Sequence, residues 1–592
     1  MHVFFVFCFG GGVGVPLAPT CRVAHLIDDE AEQVSEWALR ADIQAEAGSL
    51  LSIIELKVPG SETFHWPVCL PSKIMPKLAS VPGGRWAGVF WDRMSTRPCS
   101  QAAPWNMILY HDDIGLFVGE GLRVPYVFLR FPIESLSSTL GEKGLRSLFK
   151  VPYRNSSGVG SALKVDNRRC QIALYVSFME FGTFLQDESA WLPLGVCRTD
   201  IKKAVGASAI TRAVVRKLFL ERGENGFAIG CTVFHYRLHR FIADDAAGKD
   251  TLRYKGASGW KVCHNCKNVV LNQGTGTLSS HCPRGYLVPL SCSDASRFDP
   301  QSSDEFLSAY DGVRAVRHLA TSGDDFENTE KAFGVSIDDT SVVADMALRN
   351  IMPPSTFVRD PVHTLFASGG TVQVEIFCIY HAVKLWVPDV WQRWQDGFKT
   401  WSTGRGGSAA PWYIFSKARG EATLSHKHFV GSASDALTVI PFLRNWVAKE
   451  LHTLVDGMER HANSFERMCR VAELFLSGKR DLQADKVVWV NAVSRFLRSH
   501  VATYGDSHVK PKHHYMFHAG DQASEDGIWL DAFVLERRHK LAKATANNVH
   551  RINDIEKTMM THMLATALQE ANGALQDRCK WWRSPELDAS VG

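Results

Sequence analysis

Short apolar runs in the first half of the chain predict the strands of a sheet. Residues 107–110 form a brief apolar stretch, and residues 171–179 and 191–197 are rich in β-branched, aromatic and aliphatic side chains. Residues 232–243 form a fourth run of the same kind. These runs indicate buried strands, so a sheet is the expected centre of this part of the chain.

Helical spacing of apolar positions dominates most of the remaining chain. It predicts helices over residues 30–57, with 43–56 as its second part, and over 201–222. Residues 293–350 are polar and helical in places, and residues 375–500 are mainly helical. By contrast, residues 58–104 are rich in Pro, Gly and Trp and predict irregular structure.

Two helices in the second half have clear boundaries in the sequence. Ser434 and Asp435 can cap a helix over 436–454, with an interruption at Pro441. An amphipathic helix over 464–476 is expected to stop at Gly478. Residues 403–408 predict a flexible basic loop between helical segments.

Residues 533–543 lack Gly and Pro and predict a helix with a charged stripe. Glu536, Lys540, Lys543 and Asn547 recur at helical spacing and share one face. A solvated face explains this pattern, with an i,i+4 Glu–Lys pair contributing a few tenths of a kcal/mol. On this segment alone the solvated face is the favoured explanation, and a carboxylate held among cations for binding or catalysis is the alternative.

Composition limits the classes of protein that fit. The chain has 592 residues, which predicts about three or four domains. Its net charge is +4, so a nucleic-acid surface would have to arise from local clustering of cations. The apolar start of the chain is similar to a signal-peptide core but has no Lys or Arg before the apolar run, which favours a buried strand or a misassigned start. No later segment predicts a membrane span.

Paired acids follow two of the predicted strands. Asp112 and Asp113 come after the first run, and Asp244 and Asp245 come after the fourth. Carboxylates at strand ends can hold metal ions, whereas an Asp pair can also simply initiate a turn. An α/β sheet that carries acids at its strand ends is an RNase H-like pattern.

One close cysteine pair stands out among fourteen scattered cysteines. Cys263 and Cys266 have the spacing of a shared zinc site, and a pair of free thiols is the alternative. A second Cys-x-x-Cys is missing nearby. The candidates for the remaining ligands are His281, Cys282 and Cys292.

Two further segments combine charged, imidazole and aromatic groups. Asp360 and His363 are one helical turn apart, and Asp360 precedes Pro361 as a helix cap would. On their own, Asp360 is expected to cap and His363 to pack. Residues 509–518 collect cations, His and aromatics, which suits phosphate contact and stacking or, equally, a surface strand.

The order of these motifs resembles DDE/D cut-and-paste DNA transposases of the hAT/CACTA type. The resemblance covers residues 104–555. It rests on the two strand-end acids, the Cys-x-x-Cys segment, Asp360-Pro-Val-His363, and Lys512-His-His-Tyr-Met-Phe-His518 followed by Glu536-Arg-Arg-His-Lys. It implies an RNase H-like core interrupted by a long, mainly helical insertion, and possible descent from a mobile element that has decayed.

The resemblance implies a role for each group. Asp112, Asp244 and Glu536 would hold Mg²⁺ or Mn²⁺, with Asp113 and Asp245 as alternative ligands, while the cysteines hold Zn²⁺. Asp360 and His363 would brace the core or contact DNA near the cleavage site. The remaining cationic and imidazole groups would contact transposon or target DNA, and they are Lys510, Lys512, His514, Arg537, Lys540 and Lys543. Nuclear location, no membrane association and a homo-oligomer that cuts two ends together are also implied.

The predicted organisation has five parts along the chain. They are an N-terminal region (1–103), the first part of the core with the cysteine segment (104–300), the helical insertion (301–505), the completion of the core (506–560), and a C-terminal helix and tail (561–592). Residues 115–165 separate Asp112 from Asp166-Asn-Arg-Arg169, where related sequences have a short turn, and they are either an insertion or untranslated sequence read as coding.

Two alternatives to an active transposase stay open from the sequence. One is a transposase-derived protein that binds DNA without cutting it. The other is a zinc-stabilised interaction protein with no nucleic-acid partner.

Overall fold

A computed structural model describes most of the chain. The described residues are 41–114, 171–221, 226–271, 278, 282–403, 412–481, 485–548 and 555–571. Several predictions therefore lie outside the described residues: the apolar N-terminus, the first part of the helix predicted over 30–57, the segment 115–165, the stretch 166–169, the loop 404–408 and the tail after 571.

The strands of the described residues form one large sheet and two small ribbons. Their bounds are β1 Leu51–Leu56, β2 Phe64–Cys69, β3 Trp105–Ile114, β4 Gln171–Phe178, β5 Leu192–Arg198, β6 Phe227–Ile229, β7 Thr232–Phe234, β8 Tyr236–Ala243, β9 Val269–Val270, β10 Val288–Pro289 and β11 Phe357–Arg359. The large sheet has the order β1-β2-β5-β4-β3-β8-β11.

The pairing direction changes at the middle of the large sheet. Strands β1, β2, β5, β4 and β3 pair antiparallel, whereas β3, β8 and β11 pair parallel. In the parallel part, His111 on β3 pairs with Ala243 on β8. Asp112 and Asp244 each follow that pair by one residue, so they lie at the same level of two adjacent strands. Asp244 comes after the end of β8, but the predicted strand end before Asp112 is wrong, because β3 continues to Ile114 and pairs there with β4.

Helices cover the sheet and build the second half of the molecule. Those before β11 are α1 Pro71–Ala79, α2 Arg85–Thr96, α3 Thr199–Val205, α4 Ala207–Val215, α5 Asp245–Leu252, α6 Ser303–Val316 and α7 Gly323–Phe333. Those after it are α8 Pro361–Leu365, α9 Thr371–Lys384, α10 Val390–Thr403, α11 Lys417–His426, α12 Ala433–Trp446, α13 His452–Leu454, α14 Glu459–Asp481, α15 Lys486–Tyr504, α16 Pro511–Asp526, α17 Phe533–Asn548 and α18 Ile555–Ala571.

The strands and helices pack around two large apolar cores. The first surrounds the sheet, and α6, α7, α17 and α18 contribute to it. The second runs from Val362 to Trp529 and is built by the helices that follow β11. The chain thus leaves the sheet at the end of β11, forms a helical body, and returns to the sheet at Leu530.

The mixed α/β class is confirmed, and the predicted strands match β3, β4, β5 and β8 closely. The run 232–243 is two strands, β7 and β8, separated by His235. The predicted helix over 201–222 is broken at Gly206 into α3 and α4, followed by a π-helical turn over Arg216–Leu220. Among the described helices, none is long and apolar enough to cross a membrane.

Two predictions in the N-terminal region are wrong. The helix predicted over 30–57 is confirmed over residues 41–49, but residues 51–56 form β1 rather than a helix, because Ile54 and Leu56 alternate with exposed residues along the strand. Residues 58–104 are not irregular but contain β2, α1 and α2. In α2, Trp86, Phe90 and Met94 recur every four residues and are buried, which is the helical pattern that the Pro and Gly content obscured.

Three helix boundaries also differ from the prediction. Helix α12 begins at Ala433, where Ser432 and Asp435 form the capping box, and it passes Pro441 without ending. Helix α14 continues past Gly478 to Asp481. Residues 511–518 open the buried helix α16 rather than a surface strand, because Pro511 occupies its first turn.

Candidate metal centres

Three residues far apart in the chain bring potential metal ligands together. Asp112 on β3, His363 on α8 and Glu536 on α17 each place one ligand atom within 4.8 Å of the other two. His363 Nε2 lies 3.5 Å from Glu536 Oε1. Two of the three predicted catalytic acids therefore meet, and His363 joins them; we name Asp112, His363 and Glu536 the carboxylate group.

Asp112 is the most enclosed member of this group. Its side chain is 8% exposed, and Tyr110 donates a hydrogen bond to Asp112 Oδ2 at 2.8 Å. His539 Nδ1 lies 4.0 Å from the same oxygen. The backbone of Asp112 pairs with Ala173 on β4, one residue beyond the end of the ladder between β3 and β8.

Asp360 positions His363 and the start of α17, the helix that carries Glu536. Its carboxylate caps α8 by accepting from the backbone N–H groups of Val362 and His363. It also accepts a hydrogen bond from Ala532 N at 3.0 Å, immediately before α17, and pairs with His363 Nδ1. Asp360 thus does more than cap: one buried carboxylate orients the His363 ring and anchors the start of the helix that carries Glu536.

Asp244 and Asp245, the second Asp pair, have different partners. Asp244 caps α5 by accepting from Ala247 N at 2.6 Å, and it acts electrostatically on Asp112 and His363. Asp245 instead accepts hydrogen bonds from Arg359 Nη1 at 2.6 Å and from the Tyr254 hydroxyl at 2.8 Å. Asp245 is thus committed to a structural ion pair. Asp244 acts on Asp112 and His363 through its charge, but it is not among the three residues whose ligand atoms lie within 4.8 Å of one another. The Asp113 side chain lies outside the described residues.

The crowding of charges shifts the pKa of two groups. Burial and the nearby Asp244 raise the pKa of Asp112 from 3.8 to about 7. Burial opposes the charged form of His363, but its bond with Asp360 and the charges of Asp112 and Asp244 raise its pKa from 6.5 to about 9. The imidazolium of His363 therefore acts as a counter-ion for carboxylates that repel one another.

The residues of this group suit a hard divalent cation. Carboxylate oxygens are the ligands that Mg²⁺ and Mn²⁺ prefer, and a partly exposed Glu536 beside a buried Asp112 leaves room for retained water. Burial and the neighbouring Asp244 and Glu536 raise the pKa of Asp112, so its negative charge is only partly balanced by His363. A bound cation would compensate it, so the residues fit such an ion.

A second group of ligands lies in a buried Cys/His cluster, which we define as Cys263, Cys266, His514 and His518. Cys263 Sγ lies 3.3 Å and Cys266 Sγ 3.4 Å from His518 Nε2. Cys266 Sγ lies 3.5 Å from His514 Nε2, and the two Nε2 atoms are 3.0 Å apart. With bonds of about 2.3 Å to sulfur and about 2.0 Å to nitrogen, the ligands of tetrahedral zinc stand roughly 3.3–3.8 Å apart. The three sulfur–nitrogen distances match this spacing, and the two imidazole nitrogens are slightly closer. The cluster fits Zn²⁺ in donor type and number.

The cluster corrects the predicted zinc ligands. Cys282 and Cys292 are partly exposed free thiols outside the cluster, and His281 lies outside the described residues. His514 was predicted to contact DNA, but it is buried and takes a ligand position instead. The missed signal was the i,i+4 spacing of His514 and His518, which puts both rings on one face of α16.

Burial alone would disfavour a charged thiol in the cluster. The pKa of Cys263 is nevertheless lowered, because a hydrogen bond from Cys266 and the neighbouring imidazoles of His518 and His514 outweigh desolvation. Asn265 N also lies 3.4 Å from Cys263 Sγ as a donor. The protein therefore favours a thiolate, which is the form that binds a metal.

Arg359 connects the two centres. Its guanidinium lies 3.5 Å from the centroid of the Tyr515 ring on α16, and its Nη2 lies 2.9 Å from His264 Nδ1 in the Cys-x-x-Cys loop. Its Nη1 donates to Asp245. Because Arg359 directly precedes Asp360, the Cys/His cluster is coupled through buried contacts to the strand end that orients His363.

The predicted DNA-contacting cations have different surroundings. Lys512 Nζ donates to the carbonyls of His363, Ala367 and Ser368, so it closes the turn after α8. Arg537 pairs with Glu188 at 2.7 Å. Lys510 is half-buried. The side chains of Lys540 and Lys543 lie outside the described residues.

No protein-family model matches this chain, and no curated protein matches its sequence significantly.

Proposed function

We propose that this protein is a transposase-like polynucleotidyl transferase, which binds DNA ends and cleaves phosphodiesters with divalent metal ions. The observation that carries the proposal is the meeting of Asp112 and Glu536 with His363, beside the strand end that carries Asp244. These residues are hundreds of positions apart, and they meet at the junction between the sheet and the helical body. The mixed sheet, with Asp112 and Asp244 at one level of two adjacent parallel strands, supports an RNase H-like core.

In this proposal each residue has a definite task. Asp112, Asp244 and Glu536 would hold Mg²⁺ or Mn²⁺, which supplies charge stabilisation at the attacking and leaving oxygens of the phosphodiester. Asp360 fixes the His363 ring and the start of α17 through its bonds to His363 and Ala532 N. His363 balances the carboxylates when the cation is absent. The Cys/His cluster would hold Zn²⁺ and keep α16 joined to the sheet.

The test is cleavage of supercoiled plasmid by purified protein with Mg²⁺ or Mn²⁺. Wild type is expected to nick the plasmid, and Glu536→Gln should lower the nicking rate by at least about 100-fold, because a neutral amide is a poor ligand for a hard cation. Glu221→Gln is the matched control, since Glu221 is exposed and forms only an i,i+4 pair with Lys217.

The outcomes separate the alternatives. Equal nicking by Glu536→Gln and wild type would contradict the assigned site. A wild-type protein that binds DNA with steep salt dependence but never nicks would be a DNA-binding protein without catalysis. A protein that does neither would leave only the zinc-stabilised interaction protein.

A further inference from the structure

Imidazole and ammonium groups from separate segments meet beside the carboxylate group. His381 is near the end of α9, His426, Lys427 and His428 follow one another at the end of α11, and His508 and Lys510 lie just before α16. We name these six residues the basic surface. All six have at least partly exposed side chains.

Contacts show that these segments share one region. The Phe377 ring has its centroid 5.7 Å from that of His381 and 5.4 Å from that of His508. At Gly369, a Cβ atom would lie 3.1 Å from Lys510 Nζ and 3.6 Å from the His428 ring. The His426 and His428 ring centroids are 5.9 Å apart.

The charges of this region are not balanced by acids. Within the described part of the chain, none of the six side chains pairs with a carboxylate. Besides burial, the charged groups that most lower the pKa of His508 are His500, Lys427 and His381. Lys427 and Lys510 therefore supply the positive charge of this surface, while His428 and His508, whose pKa values are lowered chiefly by burial, supply neutral N–H groups. Both kinds of group favour the phosphates of a polyanion.

The basic surface continues to the carboxylate group through Lys512. Lys512 Nζ bonds the His363 carbonyl at 2.8 Å, and Lys510 lies two residues before it. The turn between them and α9 contains Ser368 and Gly369 with φ values of 49° and 74°, which keeps the backbone compact beneath Lys510. A chain with regularly spaced negative charges could therefore extend from Glu536 across this turn to His428.

We propose that the basic surface binds the phosphodiester backbone of the DNA that flanks the phosphate held at the carboxylate group. This inference rests on the proposed function and adds the path of the DNA on the helical body. Phosphate contacts of this kind position the duplex without reading its sequence. Binding should therefore be strong for any DNA of sufficient length and should depend steeply on salt.

The experiment measures binding of a fluorescent DNA duplex over a range of salt concentrations, with Ca²⁺ present to limit cleavage. The variants are Lys427→Glu, Lys510→Gln and the pair combined. Each lost phosphate contact should reduce the slope of log affinity against log salt by about 0.9. We expect about a tenfold loss of affinity for the double variant at moderate salt. Lys203→Glu, an exposed lysine on α3, controls for net charge.

Each outcome has a distinct meaning. A reduced slope in the Lys427 and Lys510 variants, with Lys203→Glu unchanged, supports the inference. If wild type binds and nicks DNA but all variants keep its slope of log affinity against log salt, the DNA does not cross the basic surface, and the proposed function stands. If wild type binds no DNA, the proposed function itself fails. Lys427→Glu guards against misfolding, because the Lys427 side chain is exposed, whereas Lys510 caps α16.

Discussion

Two acids that look equivalent in the sequence have opposite environments at the scale of single residues. Asp112 is buried beside other carboxylates, and its pKa rises to about 7. Asp245 meets a buried guanidinium and a tyrosine hydroxyl. The sequence predicts acids at strand ends, but it cannot distinguish a crowded carboxylate from a paired one. That difference depends on Arg359 and Glu536, which are contributed by distant segments.

This contrast makes a prediction for Asp112→Asn in buffer without Mg²⁺ or Mn²⁺. A carboxyl whose pKa is raised in the folded state lowers the free energy of unfolding once the pH exceeds its unfolded pKa of about 3.9. For Asp112 this loss grows with pH up to its folded pKa of about 7. The full loss, on the order of 2–4 kcal/mol, is therefore present at pH 8. The variant should therefore melt at a higher temperature than wild type at pH 8. The gain should shrink as the pH is lowered toward 5.

Asp245→Asn is the matched control for that measurement. It leaves the Arg359 guanidinium, which is 2% exposed, without its anionic partner. Removing one partner of a buried pair destabilises by roughly 3–5 kcal/mol. The melting temperature of this variant should fall. A fall for both variants would contradict the assignment of Asp112 to a crowded site.

At the scale of elements, the sequence predicts a strand or helix correctly where the residues that determine it are neighbours in the chain. Strands β4 and β5 follow from apolar runs that any buried strand requires. Helix α16 was missed because its cations and histidines look like a surface, yet His513, His514 and Tyr515 are buried. Polar side chains inside a core are compensated by partners from other segments, here Cys266 and Val262, which no local pattern reveals.

The two histidines that α16 contributes to the Cys/His cluster lead to a prediction about the zinc content of the protein. His518→Ala or Cys263→Ser should lower bound zinc from one ion per chain to nearly none, because three ligands rarely hold a structural zinc. The melting temperature should fall as well, since the buried cluster ties α16 to the Cys-x-x-Cys loop. Zinc content can be measured by mass spectrometry of the purified protein.

Cys282→Ser and Cys292→Ser serve as controls for the zinc ligands. Both cysteines lie outside the Cys/His cluster, so both variants should keep their zinc and their melting temperature. Loss of zinc in either control, with retention in His518→Ala, would overturn the ligand assignment.

At the scale of the whole molecule, the carboxylate group marks where the chain leaves and re-enters the sheet. Asp112 belongs to the sheet, His363 opens the helical body, and Glu536 follows the return of the chain at Leu530. The order of motifs predicted that these acids would meet. It did not predict the role of Asp360 as the anchor of both His363 and Ala532 N, which depends on backbone contacts between segments far apart in the chain.

The central claim is that Asp112, Asp244 and Glu536 form one divalent-metal site. Titration of Mn²⁺ followed by electron paramagnetic resonance tests it without requiring activity, in zinc-loaded protein. Wild type should bind Mn²⁺, and Asp112→Asn, Asp244→Asn and Glu536→Gln should each weaken binding by at least about tenfold, whereas Asp245→Asn should bind it as wild type does. Unchanged Mn²⁺ binding in the first three variants would contradict the account.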